Sequence, residues 1–507
     1  MGQMMPTPQQ LGAQPRMSMQ QRIVKGARRM QDIFPKWLTQ YSIVVYILAL
    51  AVVSFMYSSY SLPWYYMLSG VISVFVFFLL GSTYTMRTSA DKMHKTKRFE
   101  RTVFLYAFIP RVLFTFLLYE IFQTNYGDPF GFENMDAHYY HDQSLIFADA
   151  IRNGNFVSVW KKTTETIDMS DLGYSSYLGL IYALTENSII VARLLKCLLS
   201  SITVLLIYRL VKRNFGEQTG RVASIFCALW PNFWYYCAVH LKETEMVFLA
   251  VLFVEQADQM LRSRQFTAWK VIPVLLIAAA MFTVRTPLAL VALLSLVFSL
   301  VMSSSKVVNW GKRIIVGVLA GALIVVVAGN VIQEQANVLV EQVQEGKVDE
   351  NLKWRAERDN GNSFAKYAGA SVFAPMIFTL PFPSMVRPFE GQDVQQIVNG
   401  GNFVKNIMSG FTILAIIMLL MSGKWREHLL PLSFMLGYLV VLTMSSFAQS
   451  ERFHQPVMPF EFMFAAYGLS LAVTKKKYKR WFTYWCGLMF IACIVWNWYK
   501  MAGRGLA

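Results

Sequence analysis

The chain has 507 residues, 55% of them hydrophobic, 15% aromatic and only 15% charged, with a formal net charge of +17. Soluble proteins carry about 25% charged residues, so this composition excludes a cytosolic multidomain enzyme, a disulfide-stapled secreted scaffold and a disordered tail protein. It points to an all-α polytopic membrane protein.

Residues 1–35, rich in Met, Gln, Pro and Arg, read as a disordered cytosolic lead-in with no cleavable signal peptide, and 36–507 as one transmembrane domain. A spanning helix needs roughly 20 mostly apolar residues. Runs of this kind fall at 42–59, 64–82, 103–122, 189–210, 221–239, 244–261, 270–284, 287–303, 314–333, 403–422, 429–447, 456–473 and 481–499. About thirteen spans are therefore expected, with 270–303 readable as a helix pair broken around Arg285-Thr286-Pro287. Placing the N-terminus in the cytoplasm makes every short inner loop basic, among them 83–102, 209–221 and 474–480. This satisfies the positive-inside rule. The excess charge is then topology and contact with anionic lipid, with no call for nucleic acid. The reading is a multi-pass protein of a cell (inner) membrane.

The same parity leaves two long outer loops, 123–188 and 334–402. The first holds helical stretches at 135–152 and 174–186, and the second opens with an amphipathic segment, 331–348. Gly317-x3-Gly321 in the ninth span reads as a helix-packing signal. The cysteines (Cys197, Cys227, Cys237, Cys486, Cys493) all lie in apolar runs, without metal-ligand or disulfide spacing. No Walker A, GxGxxG, HExxH or GxSxG pattern occurs.

Ionisable groups at span ends are costly and are the first functional candidates. They gather on the outer side. Asp128, Glu133, Asp136, His138, His141 and Asp142 follow the third span, and His240, Lys242, Glu243 and Glu245 fill the turn between the fifth and sixth. Arg285 sits at the next outer turn, with Glu451, Arg452 and His454 before the twelfth span. A carboxylate can take a proton from a hydroxyl nucleophile, while Lys, Arg and His can neutralise a phosphate leaving group. ATP and nucleotide sugars are not supplied outside the membrane, so a glycosyl donor there has to be a lipid phosphate.

The runs ENMDAHYYHDQSLIFADAIRNGN (133–155), DLGYSSYLGLIYALT (171–185), the stretch 192–249 and ERFHQPVMPFEFMFAAYGL (451–469) carry a family resemblance. They resemble the GT-C membrane glycosyltransferases, in the protein-mannosyltransferase and aminoarabinose-transferase branch. The resemblance covers about half the chain by pattern. It implies inverting transfer of a sugar from a polyprenyl-phosphate donor to a lipid, glycan or protein acceptor on the periplasmic or lumenal side. It implies Asp136 as general base, Lys242 and Glu243 at the turn facing the donor phosphate, and Arg452 and His454 at an "RY..P"-like position. Two additional spans (42–59 and 64–82) come ahead of the one that leads into the acidic motif here, and the family's adjacent acid pair is absent. Glu133, Asp136 and Asp142 are near neighbours instead, which leaves open both which acid acts and whether a divalent cation (Mg or Mn) joins it.

Each candidate also has a plainer role. Asp136 suits a helix N-cap, and Glu133 and Asp142 suit a solvated face. His138 and His141 beside Tyr139 suit either substrate contact or structural hydrogen bonds. Lys242, Arg285 and Arg452 suit interfacial snorkelling as well as phosphate binding. Arg111, inside the third span, needs a partner that the sequence does not name. Lys353, Arg355, Arg358 and Arg387 read as a solvated face. The rival readings are a polysaccharide polymerase or ligase using lipid-diphosphate glycans and a lipid-linked glycan flippase or transporter.

Overall fold

A computed structural model describes residues 34–88, 96–131, 134–163, 169–263, 268–304, 307–308, 376–387, 396–443, 448–474 and 476–502. Among these residues the regular structure is helical throughout, with one β-bridge between Ser61 and Val386.

Two apolar helices come first, α1 (Lys36–Met56) and α2 (Trp64–Arg87), the latter loosened into a π turn at Val76–Leu80. α3 (Thr96–Tyr126) carries Pro110 inside it. The first long connection is folded into α4 (Asn134–Arg152), α5 (Phe156–Thr163) and α6 (Met169–Thr185). α7 (Ile189–Phe215) stops at Gly216, whose φ of 92° favours glycine, and α8 (Glu217–Leu229) folds back along it.

The expected span 221–239 is not one helix. Pro231 lacks an N–H and cannot continue α8, so α9 (Pro231–Ala238) starts afresh with proline in its first turn. α10 (Glu243–Arg262) occupies the expected span 244–261 but buries Glu243, Glu245, Glu255 and Asp258. α11 (Val271–Val284) and α12 (Thr286–Met302) form the broken pair, and Arg285 between them is extended at φ −161°, ψ 99°. α13 (Asn399–Met421), α14 (Leu429–Thr443), α15 (Glu451–Val473) and α16 (Lys476–Ala502) complete the bundle.

Among the described residues, α1, α2, α3, α7, α13, α15 and α16 supply the 7 helices long and apolar enough to cross a membrane. α11, α12 and α14 are apolar but shorter. This is an all-α polytopic membrane protein. The expected span 314–333 with Gly317 and Gly321, the segment 331–348, and Lys353, Arg355 and Arg358 lie outside the described residues, as do Glu133 and most of the lead-in.

Helices in a bilayer gain little hydrophobic energy from meeting one another, so contact depends on close packing and shared hydrogen bonds. The start of α13 uses both. A Cβ at Gly400 would lie 2.6 Å from the Gly70 carbonyl oxygen of α2, and Trp230 Nε1 donates to the Gly401 carbonyl at 3.0 Å. Non-helical backbone inside a membrane domain needs side-chain partners, and the buried segment 376–387 receives them from α13 and α16. Lys405 donates to the Leu380 carbonyl, Asn406 to those of Thr379 and Pro381, and Asn497 to that of Pro383 at 3.1 Å. Asn497 Oδ1 also accepts from the Met385 N–H at 2.7 Å.

The main apolar core runs through most of the bundle. A second, smaller core lies at one end, where α4 and α6 cap it through Tyr140, Ala148, Tyr174 and Leu178 against Phe122, Tyr235 and Leu241. The candidate site is built at this capped end.

Candidate active site

Three breaks in helical structure deliver the charged groups. Pro231 ends α8 early, and after the short α9 the chain turns tightly through residues 239–242. Pro287, in the first turn of α12, leaves Arg285 in an extended link. The chain re-enters the bundle through the turn Glu451–His454 at the head of α15. Against them the cap contributes the first turns of α4 and α6, where Asp136 and Asp171 sit at helix N-termini that favour carboxylates.

Arg452 is the hub. Its Nη1 donates to Asp136 Oδ2 and its Nε to Glu243 Oε1. The two acids differ in setting: the Asp136 side chain is 54% exposed and that of Glu243 2%. Among the described residues the second oxygen of Glu243 has no hydrogen-bond partner. Glu243 lines, with Ser200, Tyr236, Thr244 and Gln455, a cavity of about 10 Å³, close to the size of one water.

A second pair stands beside the first. Lys242 Nζ donates to Asp171 Oδ1 and to the carbonyls of Ser170 at 2.9 Å and Val284 at 3.0 Å. Tyr140 Oη donates to Asp171 at 3.0 Å, and its ring lies 5.8 Å from Lys242 Nζ. Burial lowers the Lys242 ammonium below the usual lysine value, against the pull of Asp171. Burial and then the Asp171 charge raise the Tyr140 phenol. Arg285 and Arg452 both lie over the Phe453 ring, at 5.0 and 5.8 Å. Asp136, Asp171, Glu243, Lys242, Arg285 and Arg452 thus form one group of three acids and three cations.

Other candidates stand apart from this group. His454 is turned into the bundle, where Nδ1 meets Lys405 Nζ at 2.7 Å and Nε2 the Ala448 carbonyl at 2.8 Å. It braces the turn that carries Arg452 rather than sharing its ligand. His138 Nε2 pairs with Asp128 Oδ2 at 2.9 Å. His141 Nδ1 meets Tyr182 Oη at 2.8 Å, which lies 3.1 Å from His240 Nε2. Burial lowers both His141 and His240 below the ordinary histidine value and favours neutral rings. Asp142 is exposed, and Tyr139 stands at the rim against Tyr140 with ring centroids 5.6 Å apart.

Sequence reasoning did not single out Asp171 or Tyr140. The available signal was the DLGY run opening a helix, with an acid in its first turn. Among the described residues no three His, Cys, Asp or Glu side chains gather as metal ligands. Asp136 and Glu243 converge on one guanidinium and share its charge.

Residues 174–331 match the family described as dolichyl-phosphate-mannose-protein mannosyltransferase. That stretch includes α7 to α12 and hence Lys242, Glu243 and Arg285. No curated protein and no solved structure matches the chain.

Proposed function

We propose that this chain, a membrane glycosyltransferase of the GT-C type, transfers a sugar from a polyprenyl-phosphate donor to a hydroxyl of a lipid, glycan or protein acceptor. The reaction takes place at the outer, periplasmic face of a cell (inner) membrane and inverts the anomeric carbon. The observation that carries this reading is the Arg452 guanidinium held between a half-exposed carboxylate, Asp136, and a buried one, Glu243.

Asp136 accepts the proton of the acceptor hydroxyl, whose oxygen forms the new bond to the anomeric carbon. The bond from that carbon to the phosphate oxygen breaks, and its electron pair leaves with the polyprenyl phosphate. Arg452, with Lys242 and Arg285 beside it, neutralises that charge as it develops. Tyr139, exposed beside Tyr140, touches the sugar, and Asp142, exposed on the same helix, supplies further negative charge.

Orientation follows from charge. At the far end of the bundle, cations pair around Glu217, which is bonded by Lys212 at 2.7 Å and Arg221 at 2.8 Å. Arg213 and Arg262 bind Asp258 there. A basic end belongs in the cytoplasm, which supports the reading of the capped end as the outer one.

The test is transfer by purified protein in lipid, given radiolabelled polyprenyl-phosphate sugars and a membrane-extract acceptor pool. Wild type is compared with Asp136→Asn, matched for folding. Transfer that falls at least a hundredfold in the variant supports Asp136 as base, on the scale of a lost general base. Undiminished transfer by Asp136→Asn moves the base to another acid. No donor consumption, with labelled lipid crossing the bilayer, would make the protein a transporter.

A further inference from the structure

Arg452 holds two carboxylates of unequal mobility. Glu243 is buried, and a buried carboxylate stripped of its cation is left desolvated and unpaired. Asp136 is 54% exposed and returns to water at little cost. When a further anion reaches the guanidinium, Asp136 is therefore the partner that leaves and Glu243 the one that stays. A phosphate matches the guanidinium fork as well as a carboxylate does, and Arg285 nearby adds to its attraction. Arg285 and Arg452 both pack on the Phe453 ring, so the two cations stand close to each other.

We propose that the donor phosphate displaces Asp136 from Arg452, and that this exchange releases the base only once donor is bound, so that donor binds before acceptor. The proposal rests on the reading of Asp136 as base and Arg452 as phosphate ligand. It adds a regulation of that site. Without donor, the Asp136 carboxylate is directed at Arg452 and is unavailable to a hydroxyl. With donor, the phosphate takes the Nη1 position and Asp136 faces the acceptor across the anomeric carbon. Glu243 keeps the guanidinium in place through the exchange, because it holds Nε and not the fork's outer nitrogen.

The exchange makes Asp136 a competitor of the donor, so removing its charge should tighten donor binding while transfer is lost. The full chain in lipid nanodiscs is titrated with farnesyl phosphate, a short-chain polyprenyl phosphate, and the Kd is read at low salt. Asp136→Asn is expected to lower the Kd about twofold to fivefold, the worth of an exposed ion pair. Asp142→Asn removes the same charge without touching Arg452 and is expected to shift it less.

The decisive comparison is a double-mutant cycle. Arg452→Gln is made together with Glu243→Gln, so that no buried carboxylate loses its cation. In that background Asp136→Asn should no longer tighten binding. An unchanged or weaker Kd in Asp136→Asn, or equal tightening in the Arg452→Gln background, overturns the exchange. Transfer that survives Asp136→Asn, with binding tightened as expected, overturns only the assignment of the base.

Discussion

Arg111, in the middle of α3, supplies the hydrogen bond that Pro231 withholds from the end of α8. The Cys227 carbonyl would meet an N–H four residues on, where proline has none. Arg111 Nη2 donates to it instead at 2.9 Å, while Nη1 reaches the Ala228 carbonyl at 3.0 Å and Nε the Ser200 hydroxyl at 2.9 Å. The fully buried arginine is thus a cap for a broken helix. The break it caps turns the chain toward Lys242 and Glu243.

Replacing Arg111 sets two effects against each other. Bringing an arginine to the centre of a span costs about 3 kcal/mol, which Arg111→Met would recover. Its hydrogen bonds, each charged and worth about 1.5–3 kcal/mol, are lost together. The bonds win, so Arg111→Met is expected to destabilise by about 2–4 kcal/mol. Thermal unfolding in detergent checks this, and an unchanged midpoint would show that α8 ends without help from Arg111.

Arg452→Lys keeps the charge and loses the fork. A lysine ammonium is a point charge without the rigid planar fork, so it does not hold Asp136 and Glu243 in the geometry that Nη1 and Nε fix. Transfer is expected to fall about a hundredfold, the usual effect of losing one preorganised donor to a developing anion, with the protein still folded. Wild-type transfer by Arg452→Lys would mean that point charge suffices at this position.

Gly173 sets the distance between α6 and α11. A Cβ there would lie 2.2 Å from Thr283 Oγ1 and 2.6 Å from the Thr283 carbonyl oxygen. The hydroxyl can rotate away but the carbonyl cannot, so Gly173→Ala must push the helices apart. The Lys242 ammonium bridges that same seam, from Asp171 on α6 to the Val284 carbonyl on α11. Transfer is expected to drop by about tenfold to a hundredfold, as a misplacement near 1 Å does, with thermal stability lowered less severely. Full activity in Gly173→Ala would detach the Asp171–Lys242 pair from the reaction.

These residues also mark what was legible in the sequence. α1, α2, α3, α7, α13, α15 and α16 stand out because each is an apolar run near the length of a bilayer, and lipid leaves such a run few alternatives to a helix. Asp136, Lys242, Glu243, Arg285 and Arg452 were visible as charges at span ends on one side. Asp171 was not, because nothing in one chain pairs an acid in a polar loop with a lysine 71 residues on. Arg111 stayed unexplained because its partners are backbone carbonyls, which leave no residue-type signal. Pro231 was the clue, and the run 221–239 was apolar enough to hide it. His454 was grouped with Arg452 by its place at the same span end and by the "RY..P"-like resemblance, yet residues two apart on a helical turn do not face each other. Lys405 is what His454 meets instead.

His428 provides a measurement at the opposite end. Its ring stacks on Phe215 at 4.2 Å, and its Nδ1 lies 2.9 Å from Asn214 Oδ1. Burial, with Arg262 adding to it, pushes the imidazole down to about 4, against the opposing effect of Glu427 and Asp258, while Lys424 lowers it further. The unfolded chain takes up this proton near 6.5, before the folded one does. Stability from the neutral ring is therefore full above about pH 6.5 and is lost as pH falls toward 4, by about 3 kcal/mol in total. His428→Phe keeps the stacking, and Asn214 Oδ1 keeps its bond from Arg262 Nη2 at 2.7 Å. Glu217, held down to about 2 by Lys212, Tyr208 and Arg221 against the effect of burial, loses its contribution at lower pH, between 4.5 and 2. Unfolding midpoints of wild type and His428→Phe, compared from pH 7.5 to 4, should therefore converge or cross as pH falls. A difference that stays constant over that range would mean that folding does not hinder protonation of the ring.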